Sequence, residues 1–161
     1  MVDVNKAAAG VSQMSMPQSF STAELEGQAD YTIIFDGGSL GNPGPGYGSY
    51  ALRREQDGKQ SLVRLDFGRQ MTNNEAEYEA LIAGLQGLIE RIEMAEKAPG
   101  DFSVEARGDS SLVLNQVQGT WKAKDDRMRR LRNQARELLG QFKAHRLVQQ
   151  RREESVRVLG H

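Results

Sequence analysis

Between residues 72 and 95, Leu81, Leu85, Leu88 and Ile92 fall four, three and four apart, the period of a helix with one buried face. Carried one turn back, that stripe lands on Glu77. A helix with a single apolar face must lie against another layer, and the preceding residues supply a sheet. The run YTIIFD at 31–36 reads as a strand, and alternating segments at 46–54 and 61–67 flank an Asp57-Gly58 turn. Three antiparallel strands therefore precede the helix, with Thr72 and Asn73 as its candidate caps. Ala98-Pro99-Gly100 ends it, and Phe102, Val104 and Ala106 then alternate with Ser103, Glu105 and Arg107 as a strand does. A short helix over 110–118 follows. A longer one over 125–142 turns Met128, Leu131, Ala135, Leu138 and Phe142 inward, and a last strand covers 145–150. Helices alternating with the late strands imply an α/β protein with a mixed sheet covered by helices.

The 161 residues make one domain, expected over 30–161. Residues 1–29, rich in Ala, Ser, Gln, Gly and Met without period, are expected to be a disordered tail. That stretch lacks the apolar segment of a signal peptide, and no apolar run approaches the roughly 18 residues of a membrane span. With no cysteine, disulfide frameworks, thiolate catalysis and cysteine zinc sites are excluded, and a cytoplasmic location is expected. Charge is uneven. Residues 1–101 carry 8 basic and 15 acidic groups, a balance of −7, whereas 102–161 carry 13 and 7, a balance of +6. A basic half suits a phosphate surface, and equally a solvated arginine face such as Arg129, Arg132 and Arg136 would form on one helix.

Three acids stand where the pattern asks for other residues. Glu77 lies on an apolar stripe, Asp36 closes a strand, and Asp109 follows another in EARGDSS. Singly, each has an ordinary explanation: a first-turn acid favoured by the helix dipole, a turn residue, a helix cap. Together they converge, because the carboxyl ends of strands are where ligands bind in open α/β sheets. Carboxylates without cysteine or nearby histidine suit Mg²⁺ or Mn²⁺ rather than zinc. Two such ions could activate water for displacement at a phosphodiester, with no protein nucleophile.

The segments FDGGSLGNPGPGYGSYAL, MTNNEAEYEALIAGL and ARGDSSLVLNQVQGTWKAK, in this order and spacing, resemble the type 1 ribonuclease H family in its short form without a basic protrusion. The resemblance covers about residues 31–154. It implies a five-stranded mixed sheet beginning with three antiparallel strands and flanked by helices. It also implies an endonuclease that cuts the RNA strand of RNA–DNA hybrids, with Asp36, Glu77 and Asp109 as catalytic and metal-binding carboxylates. Two Mg²⁺ ions in the substrate complex are implied, with Mn²⁺ as a substitute. Glu75 is a neighbour, not the matching acid. Contacts to the hybrid carry over to Ser39, Gly41, Asn42, Asn73, Asn74 and Gln116, and amides suit 2′-hydroxyls that both donate and accept. Gly41, Gly44 and Gly46 would let backbone come close to the strand. Trp121, Lys122 and Lys124 match the segment that meets the DNA backbone.

The carboxyl terminus departs from the family. A fourth carboxylate is expected on a final helix, in a pattern like REENxxADxLA, but this chain reads RREESVRVLGH. Ungapped alignment puts Leu159 at the acid and Ser155 at the preceding Asn. The final helix is expected to be missing, its face of the sheet covered by residues 1–29, a second copy or a partner chain. Two readings stay open: a metal-dependent ribonuclease H, of reduced activity for want of the fourth acid, and a module that binds hybrids or a protein partner without cutting. A phosphotransferase using Asp36 would need a second lobe for which the chain has no room. His145 is assigned no catalytic role.

Overall fold

A computed structural model describes residues 23–160. Most of the expected amino-terminal tail, residues 1–22, lies outside the described residues. The elements in chain order are β1 (Ala23–Glu24), β2 (Tyr31–Ser39), β3 (Gly44–Arg54), β4 (Gln60–Met71), α1 (Asn73–Met94), β5 (Ser103–Gly108), α2 (Ser111–Gln118), α3 (Asp126–Leu139), β6 (Ala144–Gln149) and α4 (Arg152–Leu159). They form a sheet in the order β1-β6-β5-β2-β3-β4. The meander β2-β3-β4 is antiparallel, and β5 runs parallel to both β2 and β6.

Alternation along β2 gives the sheet two apolar faces. Ile33 and Phe35 join Leu81, Leu85, Leu88 and Ile92 of α1, together with Val113, Val117, Leu131, Ala135 and Leu139, in the main core. The helical stripe read from the sequence is thus the seam between α1 and the sheet. On the other face, Ile34 and Ala51 pack against Leu159 of α4.

Two expectations are corrected. The five family strands are present, but a sixth, β1, pairs parallel with β6 through Ala23 and Ala144, and Leu25 N–H adds a bond to His145 O at 3.3 Å. The outer edge of β6 would otherwise leave its backbone groups unpaired, and residues assigned to the tail pair with its first two positions. The final helix is also present. Glu154 reaches back to accept a hydrogen bond from the Arg151 N–H at 3.3 Å, and Gly160, at φ 81°, closes the helix. Leu159 is fully buried, and the buried hydroxyl of Ser155 accepts a bond from Gln150 Nε2 at 2.9 Å. Eight residues suffice because one leucine anchors them to the sheet. With α4 over that face, the need for a second copy, a partner or residues 1–29 to cover it lapses.

Candidate metal centre and nucleic-acid groove

The centre forms where α1 begins against the carboxyl end of β2. Gly37 makes the approach possible: a Cβ there would lie 2.2 Å from Ala76 O. The Gly37 N–H donates to Glu77 Oε1 at 2.6 Å, which fixes the carboxylate beside Asp36. Asp109 follows β5, the parallel neighbour of β2, so both aspartates reach the same end of the sheet. One oxygen from each of Asp36, Glu77 and Asp109 lies within 4.8 Å of the other two. Asp36 and Glu77 are buried.

Glu75 is buried too, but it is engaged elsewhere. It accepts from the Thr72 N–H at 2.8 Å while Thr72 Oγ1 accepts from the Glu75 N–H at 3.2 Å, a reciprocal cap on α1. Its second oxygen faces Arg127 Nη1 of α3 at 3.1 Å.

Crowding three carboxyl groups raises the cost of their ionisation. Burial, followed by the hydrogen bond and charge of Asp36, pushes the Glu77 carboxyl well above the usual carboxylate range, against the pull of the Gly37 N–H. Burial and Asp36 also raise Asp109, opposed by Arg152. Glu77 Oε2 and Asp109 Oδ2 are buried without a hydrogen bond among the described residues. Such oxygens are costly unless something positive meets them, and the exposed Arg152, 3.7 Å from Asp109 Oδ2, does so for only one of the two. Clustered hard oxygen donors with two unused lone-pair sites fit a small divalent cation, and Asp36, Glu77 and Asp109 are the residues that would hold it.

Beside the centre, the β2–β3 turn is tied to the start of α1. Asn73 Oδ1 accepts from the Ser39 N–H and Oγ at 3.0 and 2.9 Å, and the Asn73 N–H donates to Asn42 Oδ1 at 3.0 Å. Ser39 and Asn73 therefore brace the turn. A groove of about 830 Å³ opens next to it, with Asn42, Asn74, Gln116, Trp121, Lys122 and Lys124 on its walls. Ser39, Gly41 and Asn73 are not among its lining residues. Gln116 is buried, and its amide is used inside the protein: Oε1 accepts from Tyr78 Oη at 2.6 Å and Nε2 donates to Lys122 O at 3.2 Å. It shapes the wall, and beyond these two bonds its amide keeps one further N–H and one further oxygen lone pair. Trp121 is about half exposed, at 47%. Gly44 and Gly46 have an internal reason to lack a side chain: a Cβ at either would strike Leu40 O or the Met71 side chain.

The arginine face of α3 is largely committed. Arg129 Nη1 donates to Lys124 O at 2.9 Å and Arg136 Nε to Val117 O at 2.9 Å, so both hold α3 to the chain before it. Sequence reasoning missed Arg152, whose Nη1 lies 3.7 Å from Asp109 Oδ2. The family pattern calls for an acid near the carboxyl terminus, whereas the residue of RREE that faces the centre is basic.

The family model described as Reverse transcriptase-like matches residues 34–158. A ribonuclease HI of Halobacterium salinarum is 42% identical over 111 residues, covering 67% of this chain and 50% of that protein. A bifunctional protein of Mycobacterium tuberculosis is 38% identical over 112 residues, covering 69% and 28%. The chain thus spans half or less of these curated relatives. Among solved structures, the Halobacterium salinarum RNase H1 is similar with a TM-score of 0.68 at 36% identity, over 79% of this chain and 89% of that one. An RNase H1 designated LC11, in complex with an RNA/DNA hybrid, is similar with a TM-score of 0.65 at 29% identity, over 79% and 89%.

Proposed function

This chain belongs to the type 1 ribonuclease H family, and from that premise we propose that it hydrolyses the RNA strand of RNA–DNA hybrids with divalent ions held by Asp36, Glu77 and Asp109. The observation that carries the proposal is the juxtaposition of three acids within 4.8 Å, two of their buried oxygens without hydrogen bonds, at the end of the sheet that bears the groove. When bound, Mg²⁺ or Mn²⁺ lowers the pKa of water and neutralises charge on the phosphodiester, two ions acting together in the substrate complex. The residues of the chain do the rest. The Gly37 N–H orients Glu77, the Asn42 and Asn74 amides meet 2′-hydroxyls, and Lys122, Lys124 and Trp121 meet the backbone and sugars of the other strand.

One observation favours a second reading, a module that binds hybrids without cutting them. Leu159, which aligns with the family's fourth acid, is buried against the sheet, and α4 offers the centre Arg152 instead. Incubating a labelled hybrid with Mg²⁺ or Mn²⁺ separates the two. Cleavage lost in Asp36→Asn supports the enzyme, whereas tight binding without cleavage in either ion supports the module.

A further inference from the structure

At the opposite end of β2 from the acids, a second cavity of about 490 Å³ lies between the β3–β4 hairpin and the carboxyl-terminal turns of α1. Tyr31 opens β2 and Asp36 is five residues on, so the two sites are separated by about 17 Å of strand. Leu52, Leu88 and Ile92, all buried, form its floor with Tyr31. Arg54, Lys59, Arg91 and Lys97 form its rim, and no acid is among its described lining residues. This arrangement is unexpected on charge alone. Residues 1–101 hold 15 acids and only 8 bases, yet four of those bases meet at one cavity that no described acid lines.

Arg54 is committed to Asp57, its Nη2 2.5 Å from Oδ2. Lys59, Arg91 and Lys97 have no ion pair among the described residues, although Asp57 accepts the Lys59 N–H and so lies close by. The helix dipole accounts for Arg91 and Lys97 near the end of α1. It does not account for Lys59, which comes from the hairpin, nor for Ser61, whose Oγ is buried without a hydrogen bond at the same cavity. Three cations with no ion pair among the described residues and a hydroxyl, brought together from β4, the turn before it, α1 and the turn after α1, match the terminal oxygens of a dianion. The apolar floor calls for a ligand with an apolar body, and the volume falls within the roughly 300–1,000 Å³ of small-molecule pockets.

We propose that this cavity binds a small phosphate monoester bearing a flat apolar group, of mononucleotide size. The phosphate sits among Lys59, Ser61, Arg91 and Lys97, and the apolar group lies on Leu52, Leu88 and Ile92. The site is independent of the acidic centre, and its ligand needs no divalent ion.

Adenosine monophosphate, inorganic phosphate and adenosine, each titrated into the isotope-labelled full chain with chelator present, provide the test by amide chemical shift. The expected result is that the monophosphate perturbs residues 52–61 and 88–97, and binds roughly tenfold or more tighter than either fragment. Arg91→Glu with Lys97→Glu should abolish the response while hybrid cleavage is unchanged, because neither residue belongs to the centre or its groove. Should that double variant fail to fold, Lys59→Glu with Ser61→Ala replaces it. The proposal is overturned by absence of perturbation at millimolar ligand, or by perturbation confined to the Asn42–Lys124 groove. Adenosine binding as tightly as its monophosphate, phosphate binding as tightly, or folded variants that bind unchanged would overturn it equally.

Discussion

Asp109 sits between two opposing influences, the negative Asp36 that raises its pKa and the positive Arg152 3.7 Å away that lowers it. Arg152 therefore competes with any ion for the same oxygen. Its side chain is 70% exposed, so solvent weakens the competition. Arg152→Gln should tighten Mn²⁺ binding roughly two- to tenfold by titration calorimetry; weaker binding would show that the arginine supports the ion instead. Glu77, whose pKa burial and Asp36 raise in the metal-free centre, should lose its proton when an ion loads. Calorimetry near pH 7 in buffers of different ionisation enthalpy should then report release of about one proton per ion. Asp109→Asn removes one acid from this crowded centre, so it should weaken ion binding while raising Tm in chelator by a few degrees, about 1 kcal/mol.

At the scale of elements, the anchoring of α4 decides whether the centre has an Arg152 at all. Leu159→Ala should cost about 2–5 kcal/mol in urea unfolding, because a fully buried leucine against Ile34 and Ala51 leaves a cavity. A loss under about 0.5 kcal/mol would mean that α4 is not held as described. Periodicity made α1 legible, and strand alternation with turn chemistry located the meander, since these are local signals. The positions of Asp36, Glu77 and Asp109 were legible for the same reason: each violates a local pattern. What was not legible depends on distant partners. The stability of α4 comes from one leucine meeting β2 and β3, and β1 exists because β6 has an edge to fill. The commitment of Gln116 to Tyr78 and Lys122 likewise links helix faces that sequence spacing does not connect.

The whole molecule places the acids and the groove at one end of the sheet and the cation-rimmed cavity at the other. Stability should respond to acid through His145 on β6. Burial pushes its imidazole down to about 4, below the ordinary 6.5. The unfolded chain thus takes up a proton that the fold resists, so stability is full above about pH 6.5 and falls as pH drops towards about 4. After allowance for partial solvent access the loss is on the order of 2 kcal/mol, and urea unfolding of His145→Gln should show a shallower decline over that window. Above these details stands the claim that three clustered carboxylates make this chain a hybrid-cutting enzyme despite a buried leucine where the family's fourth acid falls. Its most direct test is a strand-labelled RNA–DNA hybrid incubated with the full chain in Mg²⁺ and in Mn²⁺, beside Asp109→Asn. Cleavage of the RNA strand alone, dependent on the ion and lost in the variant, is the result expected. A hybrid bound and left intact in both ions, or cut equally by Asp109→Asn, would contradict it.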